Sequence, residues 1–175
     1  PRSRGLGDVY KRQEGDGVLE LSQFKGPAFI LSDSVISHSK WAIYGGSQRI
    51  IDMSNSHIYG PVNITATPYQ CNISDVRFQC DPANGEITIS GANISNCIFI
   101  GQTTIGGVSN VSACKFYPMV DNQDYILRYY GGPPQGIKFS NILVCDYSPY
   151  GNTKRPCDTA IPVSYTHLRA HETEA

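Results

Sequence analysis

Hydrophobic and polar positions alternate along this chain in short bursts. Val62-Asn63-Ile64-Thr65 and Ile87-Thr88-Ile89-Ser90 each run apolar, polar, apolar, polar. That two-residue period belongs to a strand with one buried face. Long stretches with a 3.6-residue apolar period are missing. Gly45-Gly46, Gly91, Gly106-Gly107 and Gly131-Gly132 punctuate the bursts as turn signals. The elements predicted are therefore many short strands joined by tight turns.

A longer period organises these strands. Six segments share one phrase: apolar, Ser, Asx (once Ala), a small or aliphatic residue, any residue, apolar. They begin at Leu31 (LSDSVI), Met53 (MSNSHI), Ile73 (ISDVRF), Ile94 (ISNCIF), Val111 (VSACKF) and Phe139 (FSNILV), with successive starts 22, 20, 21, 17 and 28 residues apart. Helical repeats run to roughly 33–45 residues and need helical periodicity. A leucine-rich repeat has a compatible length, but the chain has only seven Leu and lacks the LxxLxL pattern. A coil of about 20 residues holding two or three short strands is a parallel β-helix, each coil stacking on the last at ~4.8 Å. The fold class expected is all-β, a right-handed parallel β-helix solenoid of about six coils, with handedness taken from the usual preference of β crossovers.

Each place in the phrase then has an expected role. The first apolar residue points inward, and the six Ser residues form an outward ladder. Asp33, Asn55, Asp75, Asn96, Ala113 and Asn141 occupy a sharp bend, where Asn and Asp tolerate the left-handed conformation. The fourth places (Ser34, Ser56, Val76, Cys97, Cys114, Ile142) turn inward as one stack. The sixth places (Ile36, Ile58, Phe78, Phe99, Phe116, Val144) form a second stack. No single coil could bury such a side alone.

The strings Ile73-Ser74-Asp75-Val76-Arg77-Phe78 and Ile87 to Phe99 (ITISGANISNCIF) resemble coils of the pectin lyase-like superfamily, and the resemblance covers roughly residues 29–144. It implies a β-helix and an extracellular, cell-surface or virion location. It is nearly silent on activity, because members include polysaccharide lyases, glycoside hydrolases, pectin esterases, phage tailspikes, adhesins and non-catalytic repeat proteins. The chain has neither a paired Asp-Asp nor a Gly-His-Gly, short motifs that mark hydrolases of this superfamily.

The two ends stand apart from the repeat. Residues 3–13 (SRGLGDVYKRQ) resemble a translated sequencing-library transposon adapter, and residues 164–173 (SYTHLRAHET) resemble its complementary strand. Such segments are excluded from fold reasoning. The expected organisation is a non-native tail at 1–13, a β-helix fragment at 14–162 and a second non-native tail at 163–175. Trimming leaves 9 Lys and Arg against 12 Asp and Glu, a mildly acidic surface. That balance argues against nucleic acid as a partner. No apolar run approaches the ~18 residues of a membrane span.

Cys71, Cys97 and Cys114 fall at inward places, where a reduced Cys behaves as a small hydrophobe. Cys145 and Cys157 flank a loop and are the best-placed disulfide pair. No CxxC or paired-His spacing suggests zinc, and no metal or cofactor is expected. Sequons at Asn63, Asn72, Asn93 and Asn110 point outward, three of them arising because Asn precedes the repeated phrase.

Polysaccharide cleavage needs paired carboxylates, or a carboxylate-bound cation with a base, and neither stands out. Asp33 and Asp75 are accounted for by the bend, and Asp52 points outward. His57, Arg77 and Lys115 share the outward fifth place, with His57 and Arg77 on adjacent coils. The long interval from Val111 to Phe139 is the main irregularity, and excursions from a rigid scaffold often carry binding residues. The candidate binding residues are Asp121, Asp124, Tyr125, Arg128, Tyr129 and Tyr130, with Trp41 and Tyr44 as a second group. Tyr rings offer flat apolar faces with a polar tip, suited to sugar rings. The same segment would equally serve as a loop shielding or capping the strands. The functional expectation is a secreted or surface β-helix fragment that binds or processes polysaccharide, with no catalytic residue assigned. The alternative is a structural, adhesin or tailspike-like segment, for which a homotrimer is expected.

Overall fold

The computed structural model describes residues 19–21, 28–47, 50–66, 70–120, 123–130 and 136–145. Both adapter-like tails, Asp121 and Cys157 lie outside the described residues. The architecture is a parallel β-solenoid of three sheets, each with six strands. Sheet A contains β1 (Leu19–Glu20), β4 (Ile43–Ser47), β7 (Val62–Ala66), β10 (Ile87–Ser90), β13 (Thr103–Gly106) and β16 (Leu127–Tyr130). Sheet B contains β2 (Ala28–Ser32), β5 (Ile50–Ser54), β8 (Cys71–Ser74), β11 (Ala92–Ser95), β14 (Ser109–Ser112) and β17 (Ile137–Ser140). Sheet C contains β3 (Val35–Ser37), β6 (His57–Tyr59), β9 (Arg77–Gln79), β12 (Ile98–Ile100), β15 (Lys115–Tyr117) and β18 (Leu143–Val144). Every third strand pairs in parallel, so each coil visits A, B and C in turn. Among the described residues, no helix is long and apolar enough to cross a membrane.

The register is the one the repeated phrase requires. Leu31, Met53, Ile73, Ile94, Val111 and Phe139 are consecutive partners in sheet B, and the six Ser residues beside them align likewise. That Ser column is exposed at its ends, at Ser32 and Ser140, and half-buried between them. The corner from B to C always spans two residues, and its first residue has positive φ in every coil: 49° at Asp33, 44° at Asn55, 56° at Asp75, 55° at Asn96, 52° at Ala113 and 50° at Asn141.

Hydrogen bonding explains why this corner is constant. The bend N–H donates to the Ser carbonyl of the following coil, as in Asp75 to Ser95 (3.1 Å) and Asn96 to Ser112 (3.1 Å). The fifth-place N–H donates to the fourth-place carbonyl of the preceding coil, as in Arg77 to Ser56 (2.9 Å) and Lys115 to Cys97 (2.9 Å). Both ladders thus continue around the turn, and the bend N–H and the fourth-place carbonyl are satisfied there. The fourth-place side chain closes its own coil: Ser56 Oγ and Cys97 Sγ donate to the carbonyls of Ser54 (2.7 Å) and Ser95 (3.1 Å).

The core follows from these columns. Phe78, Phe99 and Phe116 stack with ring centroids 5.1 and 4.8 Å apart and planes within 7°. All three are fully buried, each contributing about 1.5–3 kcal/mol of burial. Cys71, Cys97 and Cys114 are buried and reduced as expected, and Cys80 joins them where C turns into A. That same corner needs Gly101, at φ 118°, because a Cβ there would run into the Cys80 carbonyl.

The long interval departs from the expectation of one continuous excursion. Residues 127–130 form β16, a regular strand of sheet A in register with β13. The extra length is divided between the corners at 118–126 and 131–136. The alternation of buried Leu127 with exposed Arg128 is the physical reason, since an inward Leu at this phase extends the core.

Ala113 is the one non-Asx residue in the left-handed bends, a conformation costly for an ordinary L-residue. Ala113→Asn should raise the unfolding free energy by about 0.5–1 kcal/mol. The check is a higher urea midpoint with unchanged slope.

Burial pushes the Cys71 and Cys80 thiols up to about 12, assisted by the carboxylates of Asp52 beside Cys71 and of Asp81 and Glu86 beside Cys80. Contact with Cys114 and burial hold Cys97 well above the usual thiol range. In a thiol-reagent titration followed by peptide mapping, Cys71, Cys80 and Cys97 should stay unmodified in the native protein at mildly alkaline pH and react after denaturation.

Candidate functional site

The outward positions of sheet A form two rows. One carries Tyr44, Asn63, Thr88, Thr104 and Arg128, and the other Gly46, Thr65, Ser90, Gly106 and Tyr130. Both rows follow from the strand period, because the residues that alternate with them (Ile43, Ile64, Ile89, Leu127) point into the core.

At one end of this face stands a polar cluster centred on Glu86. Its carboxylate accepts hydrogen bonds from the Tyr125 hydroxyl, Thr88 Oγ1 (3.0 Å) and Thr104 Oγ1 (3.3 Å). Arg128 Nη2 lies 3.3 Å from Glu86 Oε2, and the guanidinium sits 4.5 Å from the centre of the Tyr125 ring. Such a ring–cation contact adds attraction beyond the ion pair. The pair itself is largely exposed, so it contributes little to stability. The corner holding Tyr125 is fixed from beneath by buried Gln123, which donates to the Tyr125 carbonyl (2.8 Å) and accepts from the Met119 N–H (2.8 Å).

The candidate residues divide accordingly. Tyr125 and Arg128 meet over Glu86, and Asp124 is exposed beside them. Tyr130 projects outward, 55% exposed, with its ring over Gly106, where any Cβ would collide with it. Tyr129 takes the opposite direction. It lies in the inward column after Ile105 and meets the Phe139 ring edge-on at 5.6 Å, closing the core. Asp121 lies outside the described residues.

The second aromatic group belongs to the same face. Tyr44 is 44% exposed, and the Trp41 ring packs on it at 4.9 Å. Four strand spacings, about 19 Å, separate β4 from β16. Glu86 escaped the sequence reading. Its phase, two residues before outward Thr88, marks it as outward-facing, but Tyr125 and Arg128 lie 39 and 42 residues away. Nothing local announces that pairing.

A second surface lies around the solenoid. His57 and Arg77 are partners on adjacent coils, as expected, and line a shallow depression with Asp75, Asn96 and Ile98. Lys115 continues that column beyond Ile98. On sheet B the sequon residues form an amide ladder, Asn93 donating to Asn72 (3.2 Å) and Asn110 to Asn93 (2.8 Å). Among the described residues, no group of three or more His, Cys, Asp or Glu is placed to hold a metal ion.

The fold thus defines the class of protein, a three-sheet parallel β-solenoid. No family model matches the chain, no curated protein matches it and no solved structure matches it.

Desolvation, then the hydrogen bond to Glu86, pushes the Tyr125 hydroxyl up to about 12 from its ordinary 10. The folded state therefore holds this proton more tightly than the unfolded chain. The associated stability is complete below pH 10 and falls as pH rises towards 12. An alkaline absorbance titration should lose a component near pH 12 in Tyr125→Phe and keep it in Tyr44→Phe.

Proposed function

We propose that the outward face of sheet A is a polysaccharide-binding strip on a secreted or surface-exposed β-solenoid. The observation that carries this reading is the placement of two exposed aromatic residues, Tyr44 with Trp41 packed on it and Tyr130, on one face of one sheet. Aromatic faces receive the apolar side of a sugar ring, and their polar tips receive hydroxyls. Between them stand Asn63, Thr65, Thr88 and Ser90, short donors and acceptors at one strand spacing. The resemblance of residues 73–78 and 87–99 to pectin lyase-like coils supports the reading, because several branches of that superfamily act on polysaccharides. A fold alone does not imply an activity, so binding rather than cleavage is the reading.

Affinity gels containing dissolved polysaccharides test it. The protein should be retarded relative to a blank gel by at least one polymer. Trp41→Ala and Tyr130→Ala should each weaken retardation about tenfold, while His57→Ala on the other surface leaves it unchanged. Free migration through every polymer, together with a stable trimer by light scattering, would replace this reading with a structural spike segment. The regular amide ladder Asn72–Asn93–Asn110 fits that second reading.

A further inference from the structure

We infer that the polymer taken by the sheet A face is an uncharged polysaccharide lying along the solenoid axis, not a polyuronate. The inference rests on the binding strip just proposed and adds its chemical class.

Asn63, Thr65 and Ser90 leave the strip beside Tyr44 uncharged, and the charge that stands next to them is negative, the Glu86 carboxylate held by Thr88 and by buried Thr104. At the far end Arg128 is already committed, with its guanidinium on Glu86 and over the Tyr125 ring. A carboxylate seeking Arg128 would have to draw it away from Glu86, whose remaining partners are hydroxyls. At the near end Glu20 is the in-register partner of Tyr44 and adds negative charge. Along this face and its rim, the described acids Glu20, Glu86 and Asp124 outnumber the cations Lys40 and Arg128. A polymer with an anion on every sugar would meet repulsion there and no free receptor.

The cations that would suit such a polymer are elsewhere. Arg77 and Lys115 stand in the outward column of sheet C. The two surfaces therefore separate by charge as well as by position. Orientation follows from the rows, which run across the strands and along the axis. Aromatic rings stand at both ends, four strand spacings apart. A chain of sugars laid along that line meets Asn63 and Thr65 on one coil and Thr88 and Ser90 on the next, before the Tyr130 ring that covers Gly106.

The experiment runs the full chain through affinity gels of uncharged polymers (a β-glucan, a xylan and a mannan) and of polygalacturonate, at low and high salt. Retention by an uncharged polymer should be indifferent to salt and fall about tenfold in Tyr44→Ala and Tyr130→Ala. Polygalacturonate should not retard the protein through this face. Salt-sensitive retention by polygalacturonate that disappears in Arg128→Gln would overturn the inference while leaving the binding strip intact. Retention by polygalacturonate that disappears only in Arg77→Gln would place anion binding on sheet C and support the division of charge. Retention by no polymer would overturn the strip and the inference together. Circular dichroism of each variant separates lost binding from lost fold.

Discussion

The structure depends on a hydrogen-bond ladder that must pass a corner without breaking. Between sheets B and C the chain turns within two residues, and the first adopts a left-handed conformation in every coil. That geometry lets the bend N–H reach the next coil while the residue after the corner reaches back to the previous one. A slip of one residue at any corner would send the inward column out and the Ser column in. Positive φ is thus the condition under which three flat sheets share one register.

Given that register, identical positions must lie on one another, and side chains that gain from self-stacking become useful. The Phe78–Phe99–Phe116 pile inside and the Asn72–Asn93–Asn110 ladder outside are two results of the same constraint. The fourth-place column shows how strict it is. Ser, Val, Cys and Ile succeed one another there, and each polar member bonds its own coil rather than leaving a buried group unsatisfied. The other two corners meet a positive-φ condition only in some coils, as at Gly60, Gly91, Gly101 and Gly107. Their lengths vary, and the residues of the candidate site lie where the longer ones, 80–86 and 118–126, overhang sheet A.

That division separates scaffold from surface. Corners free to vary can bring distant residues together: Glu86 comes from one, Tyr125 from another two coils on, and Arg128 from the strand that follows. Their meeting costs the core nothing, because all three lie outside the inward columns. The buried amide of Gln123 bridges the Met119 and Tyr125 backbones beneath the site and so helps to place the Tyr125 hydroxyl.

The chain's own letters decided the period, the strands, the bend residues and the two inward stacks, because each repeats locally and a two-residue alternation is visible in any window. The αL positions were legible for the same reason: Asn and Asp recur at one place, and Ala113 is recognisable by its alignment with them. What lies between coils was not legible. Tyr129 and Tyr130 are neighbours in sequence, yet one closes the core against Phe139 and the other stands over Gly106. Only the phase of β16 against β13 assigns them. Glu86 and Trp41–Tyr44 join the Tyr-rich segment through stacking that spans several coils. Side-chain direction is a local property of the backbone, whereas a surface cluster is set by which coils lie side by side, and only the tertiary structure fixes that.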